Sequence, residues 1–306
     1  MNRILFAALA GASLTLASAA SAQQQIDFSK VEVKITDLGH RTYRLEGAGG
    51  NTTVAVGDDG VIMVDGEFAP MHDKLKAAIA TLTSAPVRYL VNTHFHGDHT
   101  GGNAGFAKDG AVVVAQVNVK KRLSEETSNG LSGAKTPPAL DNVPSKTYTN
   151  NLILRVKGRV ARLGHIPNAH TDGDTYVWFA DADVLSTGDV FTNGRYPNID
   201  FANGGNIKGM IAGVDRYLKM ADDNTKIVPG HGAVANKATL TTYRVMLVMA
   251  RDRIAKLIKA GKSEQDVVAA RPMADYDAKV GATEQQSTNF IRVVYNSLKP
   301  PSMAMH

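Results

Sequence analysis

Cysteine is absent from the 306-residue chain. Its absence excludes disulfide bonds and also excludes attachment of a lipid through a cysteine thioether. An exported protein without disulfides obtains its stability from a hydrophobic core, with a contribution from bound metal where a metal site exists. The length of the chain and its 43% of hydrophobic residues suffice for a large core.

A block of like charges is also missing. The sequence has 34 Lys and Arg against 29 Asp and Glu, which gives a formal net charge of +5. Because these charges are dispersed, the sequence has no nucleic-acid footprint, and no nucleic-acid partner is predicted. The small excess of positive charge favours anionic small molecules through the long-range field.

The N-terminal hydrophobic run is too short for a membrane span. Arg3 precedes the apolar residues 4–10, and residues 20–22 read Ala-Ser-Ala, the A-x-A pattern of a signal-peptide cleavage site. We therefore predict a secretory signal peptide at residues 1–22 and a single domain at 23–306. The mature protein is then periplasmic or secreted, with no membrane attachment after cleavage. An uncleaved anchor is the alternative.

Histidine is concentrated at one place. His94, His96, Asp98 and His99 lie within six residues, although the whole chain has nine histidines. Residues 87–91 before them are typical of a buried strand, so the cluster follows a strand end, a usual place for functional groups. His94 and His96 point to the same side of an extended backbone, whereas Asp98 and His99 diverge from them. This spacing indicates one metal ion at the first pair and a second ion nearby.

Three other candidate ligands stand near predicted strand ends. His170 lies in a turn-rich loop, Asp189 follows a short strand in Ser-Thr-Gly-Asp, and His231 ends another in Gly-His-Gly. His165 is close to His170, and the residues alone leave open which of the two is a ligand. Asp65 also ends a strand, where it serves either a turn or the orientation of a metal-binding histidine.

Strands and helices alternate along the chain, which is typical of the α/β class. Two short strands at 52–56 and 61–64 flank a Gly-Asp-Asp-Gly turn. Apolar residues at three- and four-residue steps predict a helix over 72–82, with His72 on the surface. The polar segment 124–146 is either a lid beside a site or mobile surface. Further helices are predicted at 208–220, 236–260, 264–270 and 284–298.

The histidine cluster resembles the motif of a known family. Residues 94–99 read His-Phe-His-Gly-Asp-His, which fits the H-x-H-x-D-H signature of the metallo-β-lactamase superfamily. The resemblance extends from about residue 31 to residue 257 and covers most of the chain. It implies an αββα sandwich, in which two mixed sheets pack face to face, helices cover the outer faces, and the site lies along one edge.

The resemblance also implies a centre with two zinc ions. Asp189 falls where the glyoxalase II and lactonase branches place a carboxylate that bridges both metals, whereas metallo-β-lactamases usually carry cysteine or serine there. A bridging carboxylate also admits iron or manganese. His165 is then structural, and Asp65 matches the aspartate that orients a ligand. The implied ligands are His94, His96 and His170 for one ion, and Asp98, His99 and His231 for the other.

The implied chemistry is hydrolysis. Zinc lowers the pKa of bound water to about 7, so a metal-bridging hydroxide is available at neutral pH to attack a carbonyl or phosphoryl centre. Asp98 orients this nucleophile and then carries its proton. Tyr196 and Asn198, in an irregular loop at 193–205, are hypothetical oxyanion or substrate contacts, and a structural role is the alternative.

The sequence therefore favours a periplasmic, dinuclear zinc hydrolase of small molecules with β-lactam ring-opening activity, and hence a role in antibiotic resistance. A lactonase or another ester or thioester hydrolase is the first alternative, because Asp189 is of the glyoxalase type. A phosphodiesterase is less favoured, since no cluster of basic residues suited to phosphate is evident. A metal-binding accessory protein without hydrolytic activity is the alternative outside the enzymes.

Overall fold

Two β-sheets pack face to face in the middle of the molecule. The structure is a computed structural model that describes residues 26–299, and the predicted signal peptide at 1–22 lies outside the described residues. In chain order, the strands are β1 (Lys34–Asp37), β2 (Thr42–Glu46), β3 (Thr52–Val56), β4 (Val61–Val64), β5 (Val87–Val91), β6 (Val112–Gln116), β7 (Thr127–Ser128), β8 (Lys135–Thr136), β9 (Lys146–Tyr148), β10 (Asn151–Val156), β11 (Arg159–Ile166), β12 (Asp174–Phe179), β13 (Val184–Ser186) and β14 (Lys226–Val228).

Both sheets are mixed. The first has the order β1-β2-β3-β4-β5-β6-β9, and the second has the order β10-β11-β12-β13-β14. Strands β1 to β4 are antiparallel neighbours, whereas β4, β5, β6 and β9 are parallel. The second sheet is antiparallel except for the parallel pair β13 and β14. Strands β7 and β8 form a separate two-stranded hairpin.

The helices lie outside the sheets. Among residues 26–299, none of them has the length and apolar character required to cross a membrane. In chain order, the α-helices are α1 (His72–Ala80), α2 (Gly97–Thr100), α3 (Asn103–Lys108), α4 (Val117–Ser124), α5 (Ile207–Met220), α6 (Lys237–Lys259), α7 (Glu264–Ala269), α8 (Ala274–Val280) and α9 (Glu284–Leu298).

Apolar clusters between the sheets and on their outer faces hold the elements together. Between the sheets, Val64 and Val91 of the first share a buried cluster with Phe179 of the second. A second cluster packs α1 and α3 on the outer face of the first sheet. A third and larger one packs α5, α6 and α9 on the outer face of the second sheet, around the fully buried Tyr217. The αββα sandwich is thereby confirmed.

The regular elements match most of the sequence predictions, and the differences are local. The helix predicted to reach residue 82 ends at Ala80, and His72 is half-buried between Asp73, Asp109 and the Phe106 ring rather than on the surface. Helices α2, α3 and α8 were not predicted. The segment 124–146 contains the β7–β8 hairpin, so part of it is regular structure.

Strand direction brings the polar strand ends to one edge. Because β4 and β5 are parallel, Asp65 and the histidine cluster leave the first sheet on the same side. Asp189 and His231 likewise leave the second sheet together, since β13 and β14 are parallel. The two sheets are stacked, so these four segments meet at a single edge of the sandwich.

Adjacent residues of β10 test which of its faces carries the stability. Leu154 is 2% exposed and packs between the sheets, whereas Ile153 is 45% exposed. Leu154→Ala is expected to lower the free energy of unfolding by about 2–5 kcal/mol through lost burial and a cavity. The control Ile153→Ala should cost about 1 kcal/mol or less. Urea denaturation measures both, and equal losses would contradict this assignment of faces.

Candidate metal centre

The histidine cluster changes conformation at the point that the spacing predicts. Strand β5 ends at Val91, and the chain remains extended at His96, with φ −64° and ψ 149°. Helix α2 then begins at Gly97 and carries Asp98 and His99 in its single turn. The extended part and the helical part therefore direct their side chains to two neighbouring positions.

A first triad of ring nitrogens surrounds one position. His96 Nδ1 lies 3.1 Å from His94 Nε2 and 3.0 Å from His170 Nε2. His94 and His170 are fully buried. Burial lowers the pKa of the His94 ring well below its usual value and lowers that of His170 to about 4. Both rings are therefore neutral at physiological pH, which is the form that binds a metal ion.

A second triad lies beside the first. His231 Nε2 is 3.2 Å from Asp98 Oδ2 and 3.4 Å from His99 Nε2. Burial opposes ionisation of Asp98, but the neighbouring His99 and His231 outweigh it and hold the pKa of this carboxyl below its usual range. Two imidazole nitrogens and a carboxylate oxygen form a donor set that suits a divalent metal ion.

Asp189 stands between the two triads. Its Oδ1 lies 3.4 Å from both His99 Nε2 and His231 Nε2, and its Oδ2 lies 3.9 Å from His170 Nε2. Oδ1 is buried without a hydrogen-bond partner among the described residues. Burial raises the pKa of the Asp189 carboxyl, but His231 and His99 more than reverse this and keep it ionised.

The residues present fit two metal ions. The outer nitrogens of His96 and His170 already donate to Asp200 and to the Asn198 carbonyl oxygen, so their inner nitrogens, 3.0 Å apart, present lone pairs to each other. The orphaned Asp189 Oδ1 lies beside them. Buried polar atoms need partners, and a metal ion in each triad would supply them. Within the described chain, the potential ligand groups are His94, His96 and His170, then His94, His99 and Asp189, then Asp98, His99 and His231.

The second nitrogen of His99 is held by Asp65. His99 Nδ1 donates to Asp65 Oδ2 over 2.8 Å, and Thr93 donates to both oxygens of Asp65 from its backbone N–H and its hydroxyl. Asp65 also adopts a left-handed conformation at the end of β4, with φ +62°. It thus serves the turn and orients the histidine, the two roles left open by the sequence.

Asp200 is a functional residue that sequence reasoning missed. Its Oδ2 accepts a hydrogen bond from His96 Nε2 over 3.0 Å, and Asn203 donates to both of its carboxylate oxygens. His170 Nδ1 similarly donates to the carbonyl oxygen of Asn198 over 2.9 Å. Such partners fix the ring orientation of a ligand. No local signal marked Asp200, because it lies in an irregular loop far from His96 in sequence.

All seven predicted ligands converge, and His165 stays apart from them. His165 lies in β11, and its Nε2 donates to the carbonyl oxygen of Asp172 over 2.9 Å. This placement agrees with the structural role that the resemblance implied for His165. Of the two, the structure brings His170 to the other candidate ligands, and its role as a ligand stays a prediction.

The centre lies at the floor of a cavity of about 730 Å³. Tyr196 and Asn198 line this cavity, as predicted for substrate contacts, although the Tyr196 hydroxyl donates to Asp277 Oδ1 over 2.9 Å. Their contact with a substrate stays a prediction. Asn129 of the segment 124–146 also lines the cavity, so this segment lies beside the site.

The far wall of the cavity comes from the C-terminal helices. Gln286, Asn289, Phe290 and Val293 of α9 face it at helical spacing. The Tyr196 ring stacks on Phe290 with ring centroids 4.3 Å apart. The loop that follows Asp189 is thereby attached to helix α9.

The family is shown by a sequence model of the metallo-beta-lactamase superfamily, which matches residues 45–231. The match contains all seven converging ligands, and it covers more than half of the chain. The chain therefore belongs to the metallo-β-lactamase superfamily.

Two relatives illustrate the range of named activities. The chain is 23% identical over 233 residues to the linear primary-alkylsulfatase of a Pseudomonas species, covering 64% of this chain and 44% of that protein. It is 25% identical over 177 residues to the hydroxyacylglutathione hydrolase of a Polaromonas species, covering 57% and 60%. The chain thus spans about half the length of these relatives.

Solved structures bear out the fold. A metallo-beta-lactamase from Pontibacter korlensis superposes with a TM-score of 0.59 at 17% identity, and the superposition covers 71% of this chain and 99% of that one. At this identity the likeness concerns the fold alone. A substantial part of this chain lies outside the superposed region.

Removal of a predicted ligand tests the first triad. His96→Ala is expected to weaken binding of one of the two metal ions by more than the 10–100-fold typical for loss of an outer partner, because a direct ligand is lost. Metal content after dialysis, measured by mass spectrometry, should fall from two ions per chain to one. The matched control His72→Ala removes a half-buried histidine outside the centre. Retention of two ions by the His96 variant would refute the assignment.

Proposed function

We propose that this protein is an exported, dinuclear zinc hydrolase of small acyl substrates, with β-lactam ring opening as its leading activity. The observation that carries the proposal is the placement of two ligand triads on either side of Asp189 at the floor of an open cavity. A substrate in this cavity lies directly against both metal positions.

The chain supplies the groups that such a hydrolysis needs. When bound, two zinc ions supply hydroxide at neutral pH and polarise the electrophilic oxygen. Asp98 is ionised and partly exposed to the cavity, so its carboxylate is available to orient the nucleophile and to accept a proton. Buried Asp65 and half-buried Asp200 accept hydrogen bonds from His99 and His96 and so hold both rings in place.

The cavity wall offers hydrogen-bond donors. Arg195 lines it. Gln286 accepts the Thr283 N–H with its Oε1, and Asn289 accepts from Gln285 with its Oδ1. The side-chain NH₂ groups of Gln286 and Asn289 are thus available to donate hydrogen bonds to a ligand. A cation and two amide donors favour a substrate with a carboxylate, such as a β-lactam.

An ester, lactone or thioester hydrolase is the second candidate. It is favoured by Asp189, because a carboxylate between both metal positions is the arrangement of the glyoxalase II and lactonase branches. A phosphodiesterase is less favoured, since Arg195 is the sole Lys or Arg that lines the cavity in the described chain. A non-catalytic accessory protein has no need of a large cavity over the centre.

Hydrolysis of nitrocefin by purified protein tests the proposal. Chelator-treated protein should lose turnover, and added zinc should restore it, because the hydroxide nucleophile forms only when zinc is bound. Parallel reconstitution with manganese and iron identifies the preferred metal. If metal-replete protein does not hydrolyse nitrocefin but does hydrolyse lactones or thioesters, the second candidate function replaces the first. Inertness toward every acyl substrate would support the accessory protein.

Export is the further part of the proposal. It is supported by the positive, apolar and Ala-Ser-Ala segments within residues 1–22. Expression of the full chain in a Gram-negative host should yield periplasmic protein that begins near Gln23. N-terminal sequencing of the fractionated protein measures this, with a variant in which Ala20 and Ala22 are replaced by Leu as the uncleaved control. Cytoplasmic protein that starts at Met1 would contradict export.

A further inference from the structure

The second triad is assembled from segments that are distant in the sequence. Asp98 and His99 lie in α2, whereas His231 follows β14. The loop between β2 and β3, residues 47–51, contacts both. The Gly50 N–H donates to the Asp98 carbonyl oxygen over 3.0 Å, and the Asn51 N–H donates to the Gly230 carbonyl oxygen over 2.7 Å.

The Asn51 side chain donates hydrogen bonds to the backbone on both sides of His231. Its Nδ2 donates to the carbonyl oxygens of Pro229 and Gly232, each over 2.9 Å. Its Oδ1 accepts from Arg44 Nε over 2.8 Å, which fixes the orientation of the amide. Asn51 is 6% exposed. Its Nδ2 group therefore holds the 229–232 segment, while Arg44 holds its Oδ1.

The same loop also packs against the other half of the triad. A Cβ atom at Gly50 would lie 2.2 Å from Cε1 of the His99 ring, and one at Gly49 would lie 2.7 Å from the Asp98 carbonyl oxygen. Only glycine permits so close an approach. A shift of this loop therefore moves His231 relative to Asp98 and His99.

Glu67 anchors the loop from the protein interior. Its Oε2 accepts the N–H groups of Ala48 and Gly49, each over 2.9 Å. Glu67 is fully buried and adopts a left-handed conformation with φ +53°. Its carbonyl oxygen accepts the Gly102 N–H directly after α2. One residue thus connects the loop with the segment that carries Asp98 and His99.

The first triad is supported separately. Asn203 donates to both carboxylate oxygens of Asp200, and Asp200 in turn accepts from His96. Asn203 is 3% exposed and, like Asn51, also donates to a backbone carbonyl, that of Ser128. Each triad therefore depends on a buried asparagine of its own.

We propose that Asn51 is a positioning residue for the second metal ion, with Glu67 holding the loop that carries it. Asn51 sets the separation between His231 and the Asp98–His99 pair and so tunes the affinity of the second position independently of the first. This inference rests on the proposed dinuclear centre, although it concerns metal binding and not the identity of the substrate.

Zinc titration of metal-free Asn51→Ala tests the proposal. Loss of the two side-chain hydrogen bonds to Pro229 and Gly232 loosens the 229–232 segment, although the Asn51 N–H and Arg44 still hold it. The second ion should therefore bind about 10–100-fold more weakly while the first binds as in the unaltered protein. Competition with a coloured chelator measures both affinities. The absorption spectrum of the cobalt-loaded protein shows, without any activity assay, which ligand set is occupied.

Asn203→Ala is the matched control, since it removes a buried asparagine beside the first triad. It should weaken the first ion and spare the second, the reverse of Asn51→Ala. If Asn51→Ala does not fold, Asn51→Asp takes its place, because it keeps the side-chain size and the Arg44 contact but loses both donors. Thermal unfolding of each metal-free variant separates general destabilisation from a change at one site.

Two results would overturn the proposal. One is an Asn51 variant that binds both ions with unaltered affinity, and the other is one that loses both ions equally, as a merely structural role predicts. If the unaltered protein itself binds no metal, the proposed dinuclear centre fails. If it binds two and the Asn51 variants behave as it does, this inference alone fails.

Discussion

The crowding of ligand groups around buried Asp189 is the constraint on which the rest of the structure depends. The inner nitrogens of His96 and His170 lie 3.0 Å apart while their outer nitrogens already donate, and an Asp189 oxygen lies nearby without a hydrogen bond. Lone pairs placed so close together are unfavourable unless a cation lies between them. Metal binding and folding of this edge are therefore coupled, which suits a chain that has no disulfide bonds.

Hydrogen-bond partners around the centre hold the histidine rings in their orientations. Asp65, Asp200, Thr93 and the Asn198 carbonyl oxygen each hold the non-converging nitrogen of one histidine. The ring orientations are therefore set before any metal binds, which lowers the cost of ordering the ligands. The two triads have different supports, so their affinities can differ although they share Asp189.

The candidate metal ligands and the far wall of the cavity come from different parts of the chain. The family match ends at residue 231, with the last ligand, whereas the far wall of the cavity is built by α9, 284–298. Tyr196 joins the two parts through its stacking on Phe290 and its hydrogen bond to Asp277. Substrate choice is therefore expected to depend on α9 as well as on Arg195, Tyr196 and Asn198 within the family match.

The sequence by itself determined the α/β class, the strands at 52–56, 61–64 and 87–91, and the metal-binding cluster at 94–99, because periodicity and ligand spacing are local properties. The αββα arrangement and the seven-ligand set required the family resemblance in addition. Only the tertiary structure decided the rest. The His96–Asp200 bond joins residues 104 apart, and Asn51 reaches carbonyls 178 and 181 positions away. No local pattern encodes such contacts, since they arise from the stacking of two sheets whose parallel strands end at one edge.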